Sequence, residues 1–589
     1  MTTQELLRTT LSDNQFINQS YEHYGGAAGF DDFGILGTTV KNRFVDLWRS
    51  TFITNNTDND IVEIETPTLV PHDILKASGH VDRFADYVVT DSKGNSERAD
   101  HLVKAHLEAN MKSTNGVDGW TSTQLETYIN ENNLMLENVR VESRNLMFGV
   151  TNSGTNGVTN NGTNGVDSTA NPEQHSDYYL RPELAQNIFV NFKRVYDYMK
   201  QKLPFGIAQV GKSYRREISP KPFVRMREFL QMEIEYAFDP MDIDNYIGYT
   251  NEISSSVLPL YSEARQIANS DIETQTVEYF ITNSTIENKI MATFLVKIYN
   301  FAMMIGLKPD KVRFREHMKQ EKAHYAKSCW DLECLVDNNW LECVGCANRQ
   351  DYDLKAHSHT HSFAIKRTTS TTKSIIKPNY KEIWRVFKDT DKEKISQILK
   401  VIATDEFKQS YDPKNEHVDI ILHDENKGDI KMTLTRNMIG LDNVTVYDEF
   451  FPHIIEPSFG INRLIYAVFE QNFWTRENDS QRVVFSLNSC LAPYNVAILR
   501  LSSKPEFDEF ANKIRHTLQT NGIRTYIDLS NVAIGRQYAR ADKIGIKYAI
   551  TIDFDSFNDN QVTIRERDTM LQKRVEVKDL VQVIKETYL

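Results

Sequence analysis

Cysteine is scarce in this 589-residue chain: it has five, an odd number that no complete set of disulfide pairs accommodates. Long hydrophobic runs are missing too. No stretch approaches the roughly 18 apolar residues that cross a bilayer, which argues against a membrane protein. Met1–Glu22 carries Glu5 and Asp13, lacks a secretory apolar core, and does not read as an Arg-rich, acid-free transit peptide. The cytoplasm is the expected compartment, with an additional mitochondrial form left open. Positive charge is also in deficit. Lys and Arg number 68 against 81 Asp and Glu, a net charge of −13, which disfavours attraction of the whole protein to nucleic acid. Local Lys/Arg clusters still suffice for phosphate contacts, and the segment from Pro493 onward is slightly basic, about +2.

What remains is ordinary soluble-protein composition, 40% hydrophobic and 25% charged, in a chain long enough for two to four domains. Four of the cysteines cluster: Cys329, Cys334, Cys343 and Cys346. Zinc knuckles usually show two close pairs with Gly or Pro between, and here the first pair is Cys-x4-Cys, so the four read as core and turn residues and no zinc is expected. His357, His359 and His361 fall in the polar, Thr-rich stretch Ala356–Lys377 and read as an exposed loop. Gly149–Ala170 repeats Thr-Asn-Gly and holds almost no apolar side chains, so it is expected to be a disordered insertion.

The chemistry concentrates in two predicted strands, Phe205–Glu217 and Arg227–Phe238. Side chains alternate along a strand. Ser213, Arg215 and Glu217 therefore share one face of the first strand. On the second, Leu230, Met232, Ile234 and Tyr236 can enter a core while Phe229, Gln231, Glu233 and Glu235 face a site. Guanidinium, carboxylate and aromatic ring on one antiparallel floor suit ATP, since Arg binds phosphate oxygens bidentately. A lone Arg-x-Glu is more often a surface ion pair, so the neighbouring motifs decide.

Tyr214-Arg215-Arg216-Glu217 resembles motif 2 of the class II aminoacyl-tRNA synthetases. Within Phe30–Phe52, Asp31-Asp32-Phe33-Gly34 precedes an amphipathic helix with Val40, Phe44, Leu47, Trp48 and Phe52 at helical spacing; this helix, the strand Ile61–Glu65 and Pro67 resemble motif 1. Glu456-Pro457-Ser458-Phe459-Gly460-Ile461-Asn462-Arg463 resembles motif 3. With Ser78–Asp86, Arg98–Leu102, Tyr179–Gln186 and Trp340–Arg349 in the same order, the chain is similar to the glycyl-tRNA synthetases of eukaryotic and archaeal type along nearly its whole length. The resemblance implies an α+β fold: a class II antiparallel-sheet catalytic domain with insertion domains, plus a C-terminal α/β anticodon-binding domain. The implied divisions are 1–350, an insertion domain at 351–449, 450–491, and 492–589. It implies ATP and Mg2+ as cofactors, and glycine, tRNA(Gly) and a second copy of the chain, in a homodimer, as partners.

By the same resemblance, Arg215 and Arg463 are the catalytic pair, on the α- and γ-phosphates. Arg225, Arg349, Glu217 and Phe229 complete the ATP site, and Glu342 and Glu456 contact Mg2+. Glu183, Glu233, Glu456 and Ser458 hold glycine, whose lack of a side chain leaves only charge and exclusion as means of selection. Arg536 and Arg540, with Tyr526 and Tyr538, are the candidate tRNA contacts. Three departures stand out: Asn462 replaces a motif 3 glycine, Arg216 replaces a common Asn, and the motif 2 loop Ile218–Val224 is about one residue short and holds Pro220 and Pro222. Two other readings stay open. One is a class II synthetase for Thr, Pro or His. The other is a synthetase-like accessory subunit that binds nucleic acid without catalysis, which should have lost the ATP-site arginines.

Overall fold

The computed structural model describes residues 2–588 apart from 56–59, 92–95, 111–116, 136–138, 151–175, 324, 360–361, 389–391, 425–427 and 478. The Gly149–Ala170 insertion therefore lies outside the described residues, save its first two.

A nine-stranded sheet organises the chain. Its strands are β1 (Ile61–Glu63), β2 (Phe205–Tyr214), β3 (Glu228–Phe238), β4 (Val257–Tyr261), β5 (Glu273–Thr276), β6 (Val312–Glu316), β7 (Ser328–Val336), β8 (Asn339–Gln350) and β9 (His453–Gly460). They run in the order β5-β4-β6-β7-β8-β9-β3-β2-β1, antiparallel except at β1·β2 and β4·β6. Strand alternation fixes the two faces. Met232, Ile234, Tyr236 and Phe238 of β3 enter the main apolar core, where Trp330, Leu332, Cys334, Val344 and Phe459 join them.

Three helices cover that face: α1 (Ile35–Arg49), α2 (Lys289–Met304) and α3 (Ile461–Gln471). On α1 the four-residue spacing of Val40, Phe44 and Trp48 makes one buried stripe. α2 is apolar nearly all round and accordingly buried, and it starts where the Asn288 side chain accepts from the Met291 amide at 2.8 Å. Phe52, Phe301 and Phe459 pack edge to face at 5.1–6.0 Å where the helices meet the sheet. Cys334, Cys343 and Cys346 belong to this core, in keeping with small buried thiols.

The C-terminal residues form a second sheet from β10 (Val496–Arg500), β11 (Thr525–Ile527), β12 (Tyr548–Ile552), β13 (Gln561–Glu566) and β14 (Gln572–Glu576). Its order is β11-β10-β12-β13-β14, parallel for the first three strands and antiparallel beyond. Helices α4 (Pro505–Thr520), α5 (Ile534–Lys543) and α6 (Leu580–Tyr588) complete it. Asp542 of α5 is buried and meets Arg476, Arg482 and Arg565 at 3.1–3.4 Å, while Ala541 and Ile544 join the main core.

Ala364–Phe451 is a separate compact unit. It has a long hairpin, Ile365–Pro378 with Ile439–Phe450, and a second, His417–Asp424 with Gly428–Thr435. Its helices bury Ile383, Ile395, Ile398 and Ile402. The Thr-rich stretch expected to be a loop is thus largely strand: β-branched threonines suit a pleated backbone whatever their polarity. A further small body was not anticipated. Strands Ala85–Thr90, Ser96–Arg98 and Val141–Asn145 carry helices Ala99–Ala109 and Ser122–Glu131 around Val89, Val103, Leu125 and Ile129. Among the described residues no helix is long and apolar enough to cross a membrane.

Candidate active site

The sheet's second face is polar, and register aligns its side chains. Gln209, Glu233, Ser458, Gly345 and Asp331 form one row across β2, β3, β9, β8 and β7. A cavity opens above this floor, lined among others by Arg215, Arg225, Phe229, Glu233, Glu456 and Arg463.

Carboxylates gather at its closed end. Glu183, Glu233 and Glu456 are all buried. Glu233 accepts from the Leu184 amide at 2.9 Å, from Gln231 at 3.0 Å and from the Ser458 hydroxyl at 2.7 Å. Glu183 lies 3.3 Å from His80 and accepts from Gln186 at 3.1 Å. Burial and the neighbouring Glu183 push the Glu233 carboxyl up to about 7. Burial likewise raises Glu456 to about 8 against the pull of Arg349. Glu183 is held well below the usual range because His80 and Arg349 outweigh its desolvation. Buried carboxyls with opposed shifts in one pocket are a functional-site signature, and the arrangement accepts a small cation.

The other arm is cationic and aromatic. The Arg215 guanidinium lies 5.4 Å from the Phe229 ring and 5.2 Å from Phe84, and its Nε donates to the Pro182 carbonyl at 3.2 Å. Arg463, in the first turn of α3, donates to the Val224 carbonyl and to the Glu342 carbonyl, each at 2.8 Å. Arg225 meets both ring nitrogens of His101 at 2.9 and 3.1 Å. That ring is neutral, its pKa pushed down to about 3 by burial and by Arg225 and Arg98 against Asp100. Glu217 is buried and its Oε2 has no hydrogen-bond partner among the described residues, so an acceptor points into the cavity wall.

Two expected placements differ. Arg349 does not line this cavity. It is 1% exposed, donates to Asp353 at 2.7 and 2.9 Å and to Glu456 at 2.9 Å, and stacks under the Tyr325 ring at 3.8 Å. A guanidinium so committed braces the carboxylate end and is not available to ATP. Glu342 and Glu456 are each expected to contact Mg2+; Glu456 faces Ala347, five residues along β8 from Glu342. That is about 17 Å of strand, too far for one ion, and Arg349 already engages Glu456. Glu342, half exposed beside Arg463 at 3.5 Å, remains a hard oxygen donor at the cavity.

Two of the motif departures also resolve. Asn462 has an ordinary helical backbone, and its Oδ1 accepts from the Leu230 amide at 2.9 Å, tying α3 to β3. The short motif 2 loop folds back: the Phe223 amide donates to Asp31 at 3.1 Å, and its ring packs on Phe33 at 5.3 Å. His80, Asp353, His101 and His317 are the site-forming residues that motif reading missed. His357 is one more: in the turn after the helix Tyr352–Ala356, its Nε2 donates to Gln186 Oε1 at 2.8 Å behind Glu183, so it is half-buried and not exposed. Each stands outside the three class motifs. In the C-terminal part, Arg536 is exposed on α5, Arg540 reaches Asp528 at 3.2 Å, Tyr526 packs on Tyr494 and Tyr538 bonds Thr551.

Comparison with known proteins agrees with this geometry. Residues 168–472 match the family described as tRNA synthetase class II core domain (G, H, P, S and T), and residues 495–587 match the anticodon binding domain. The chain is 34% identical to a glycine–tRNA ligase of Bombyx mori, over 97% of this chain and 78% of that protein. It is 33% identical to glycine–tRNA ligase 2 of Saccharomyces cerevisiae (98% and 94% covered) and 34% identical to the Methanococcus maripaludis glycine–tRNA ligase (97% of each). Among solved structures it resembles a prolyl-tRNA synthetase from Cryptosporidium parvum in fold, with a TM-score of 0.51 at 11% identity, over 100% of this chain and 75% of that one. The sheet, its motifs and these relatives lead to one assignment: the chain belongs to the glycine–tRNA ligase family of class II aminoacyl-tRNA synthetases.

Proposed function

We propose that this protein activates glycine with ATP, giving glycyl-adenylate and pyrophosphate, and then transfers glycine to the 3′ end of tRNA(Gly). One observation carries the reading. A single cavity joins a closed end of three buried glutamates to an arm of three arginines, the charge pattern of an amino acid meeting a nucleotide.

The closed end takes the glycine ammonium between Glu183, Glu233 and Glu456, with Ser458 fixing the Glu233 rotamer. The volume is already filled by carboxylates, so a side chain on the substrate has no room. Arg349 serves this end by holding Glu456 in place. In the arm, Phe229 stacks on adenine and the unpartnered Glu217 oxygen accepts its amine. One oxygen of the glycine carboxylate then attacks the α-phosphorus as the bond to pyrophosphate breaks. Arg215 stabilises the charge that grows on the α-phosphate, and Arg463 and Arg225 hold the outer phosphates. Mg2+ bound with ATP supplies charge neutralisation on those phosphates, and Glu342 is the residue that would hold it. No protein nucleophile is required.

The C-terminal sheet is read as the anticodon-contacting module, with Arg536 its most available cation. The domain division at about residues 350, 450 and 492, a homodimer formed through the α1–β1 region, and a cytoplasmic location complete the proposal. Amino-acid-dependent ATP–pyrophosphate exchange across the twenty amino acids tests it. Glycine alone should support exchange. Exchange with threonine, proline or histidine, or with none, would overturn the assignment.

A further inference from the structure

We propose that Tyr325 is a specificity-determining residue, whose ring closes the glycine end of the cavity and sets the size of substrate admitted. The role rests on glycine being the substrate of this cavity. Tyr325 belongs to the connection between β6 and β7, and it lines the cavity together with Ala323 and Ala326. Those two alanines are too small to fill a wall, so the bulk there is the tyrosine ring. The connection is held at both ends. Glu321 Oε2 accepts from the Met318 amide at 3.0 Å and from Arg315 at 2.8 Å. The Lys327 amide donates to the Asn348 carbonyl at 2.8 Å, and the Ala326 amide to the Ala323 carbonyl at 2.9 Å.

Arg349 fixes where the ring stands. Its guanidinium carbon lies 3.8 Å from the ring centroid, a close cation–π contact. One Nη of the same guanidinium reaches Glu456 at 2.9 Å, and the other stands 3.9 Å from Glu183. A ring resting on that guanidinium therefore lies beside two of the carboxylates that take the ammonium. Arg349 also holds both oxygens of Asp353, at 2.7 and 2.9 Å, so it does not swing away and the ring has a rigid seat.

The ring is also a partition. Behind it a surface depression is lined by Tyr325, Arg349, Gln350, Tyr352 and Lys355. Arg349 borders that depression but not the cavity, while Tyr325 and Ala326 border both. The tyrosine ring is what separates the two spaces. The glutamates at the closed end select an ammonium, and every amino acid carries one. They do not tell glycine from alanine; a wall placed against the α-carbon does. Glycine offers that wall only hydrogens, whereas a methyl group presses on a ring with no room to retreat.

ATP–pyrophosphate exchange by the full-length protein with glycine, L-alanine and D-alanine tests the wall, the two alanines together covering both α-hydrogens of glycine. In Tyr325→Ala the alanine-to-glycine ratio of kcat/KM should rise about tenfold or more for at least one enantiomer, the discrimination that a single methylene carries. Tyr325→Phe keeps the ring and should hold the ratio within about twofold of wild type. A merely structural defect lowers exchange with all substrates in proportion and leaves the ratio where it was. If Tyr325→Ala loses its circular dichroism spectrum, Tyr325→Leu replaces it, with the same rise expected. An unchanged ratio for both alanines in the folded variant would overturn the proposal. So would loss of exchange with all three substrates, or a rise in Tyr325→Phe equal to that in Tyr325→Ala. A wild-type protein that activates another amino acid in place of glycine would instead overturn the glycine reading itself.

Discussion

Arg215 and Arg349 carry the same charge a few strands apart, but their surroundings assign them opposite kinds of sensitivity. Arg215 faces the cavity with an aromatic ring on either side, while every arm of Arg349 is spent on a buried carboxylate. Arg215→Ala, and likewise Arg463→Ala, should lower glycine-dependent pyrophosphate exchange by about 10²–10³-fold with little change in unfolding. Exchange within tenfold of wild type in both would refute the phosphate assignment. Arg349→Ala instead strands Asp353 and Glu456, and a broken buried pair costs about 3–5 kcal/mol, to be read from chemical denaturation. Glu233 and Glu456 share the pH dependence, and Glu233 shows its sign. Its folded pKa is near 7 against an ordinary value of 4.5, so the folded chain binds this proton more tightly than the unfolded chain does. The stability it contributes is full below about pH 4.5 and is lost as pH climbs through 7. The substrate-free protein should therefore melt lower at pH 8.5 than at pH 6, and Glu233→Gln should reduce that slope while Glu456 supplies the remainder. Glycine affinity should move the other way, rising as the carboxyl ionises to meet the ammonium. A pH-independent KM for glycine would contradict that role.

Among the elements, strand alternation was legible and long-range register was not. The split of β3 into Met232, Ile234 and Tyr236 on one side and Phe229, Gln231 and Glu233 on the other follows from its sequence alone. That Gly345 and Asp331 would join the same row as Glu233 depends on which strands pair, and no local pattern specifies that. The same limit explains Arg349, whose motif position suggested ATP until the pairing of β8 with β9 put it against Glu456. The Thr-rich strand Ile365–Pro378 was missed because polarity outweighed β-branching in the reading. Register also gives the insertion a concrete test. Phe148–Val150 pairs antiparallel with Tyr178–Leu180, so the segment between them links adjacent strands of one hairpin. Replacing residues 151–175 with Asn-Gly leaves, with Ser176 and Asp177, a four-residue connection between the paired Val150 and Tyr178, a common hairpin loop length. The shortened protein should keep its circular dichroism spectrum and its exchange activity within about twofold, the scatter ordinary for a surface change. A large loss of either would show that the insertion supports the core.

For the whole molecule, the question is how far the C-terminal sheet is separable from the catalytic one. Composition suggests a detachable module: a slight positive excess and a compact β/α pattern beginning near Pro493. The packing argues otherwise. Asp542 sits buried among Arg476, Arg482 and Arg565, and Ala541, Ile544 and Ala549 share a core with Phe485, Leu487 and Leu491. Cutting after Ala492 would leave Arg476 and Arg482 without that carboxylate and bare an apolar face, so truncation confounds stability with tRNA binding. A surface substitution separates them. Arg536 is exposed on α5, outside the Asp542 cluster and far in sequence from every catalytic motif. If the sheet reads an anticodon loop, reversing this charge weakens RNA binding and leaves activation alone. Arg536→Glu should therefore lower kcat/KM for tRNA(Gly) charging by about tenfold or more, with a reduced salt dependence. Glycine-dependent pyrophosphate exchange should stay at the wild-type level, because that reaction needs no tRNA. Equal loss in the two assays would assign α5 a structural role, and unchanged charging would move the RNA contact elsewhere on the sheet.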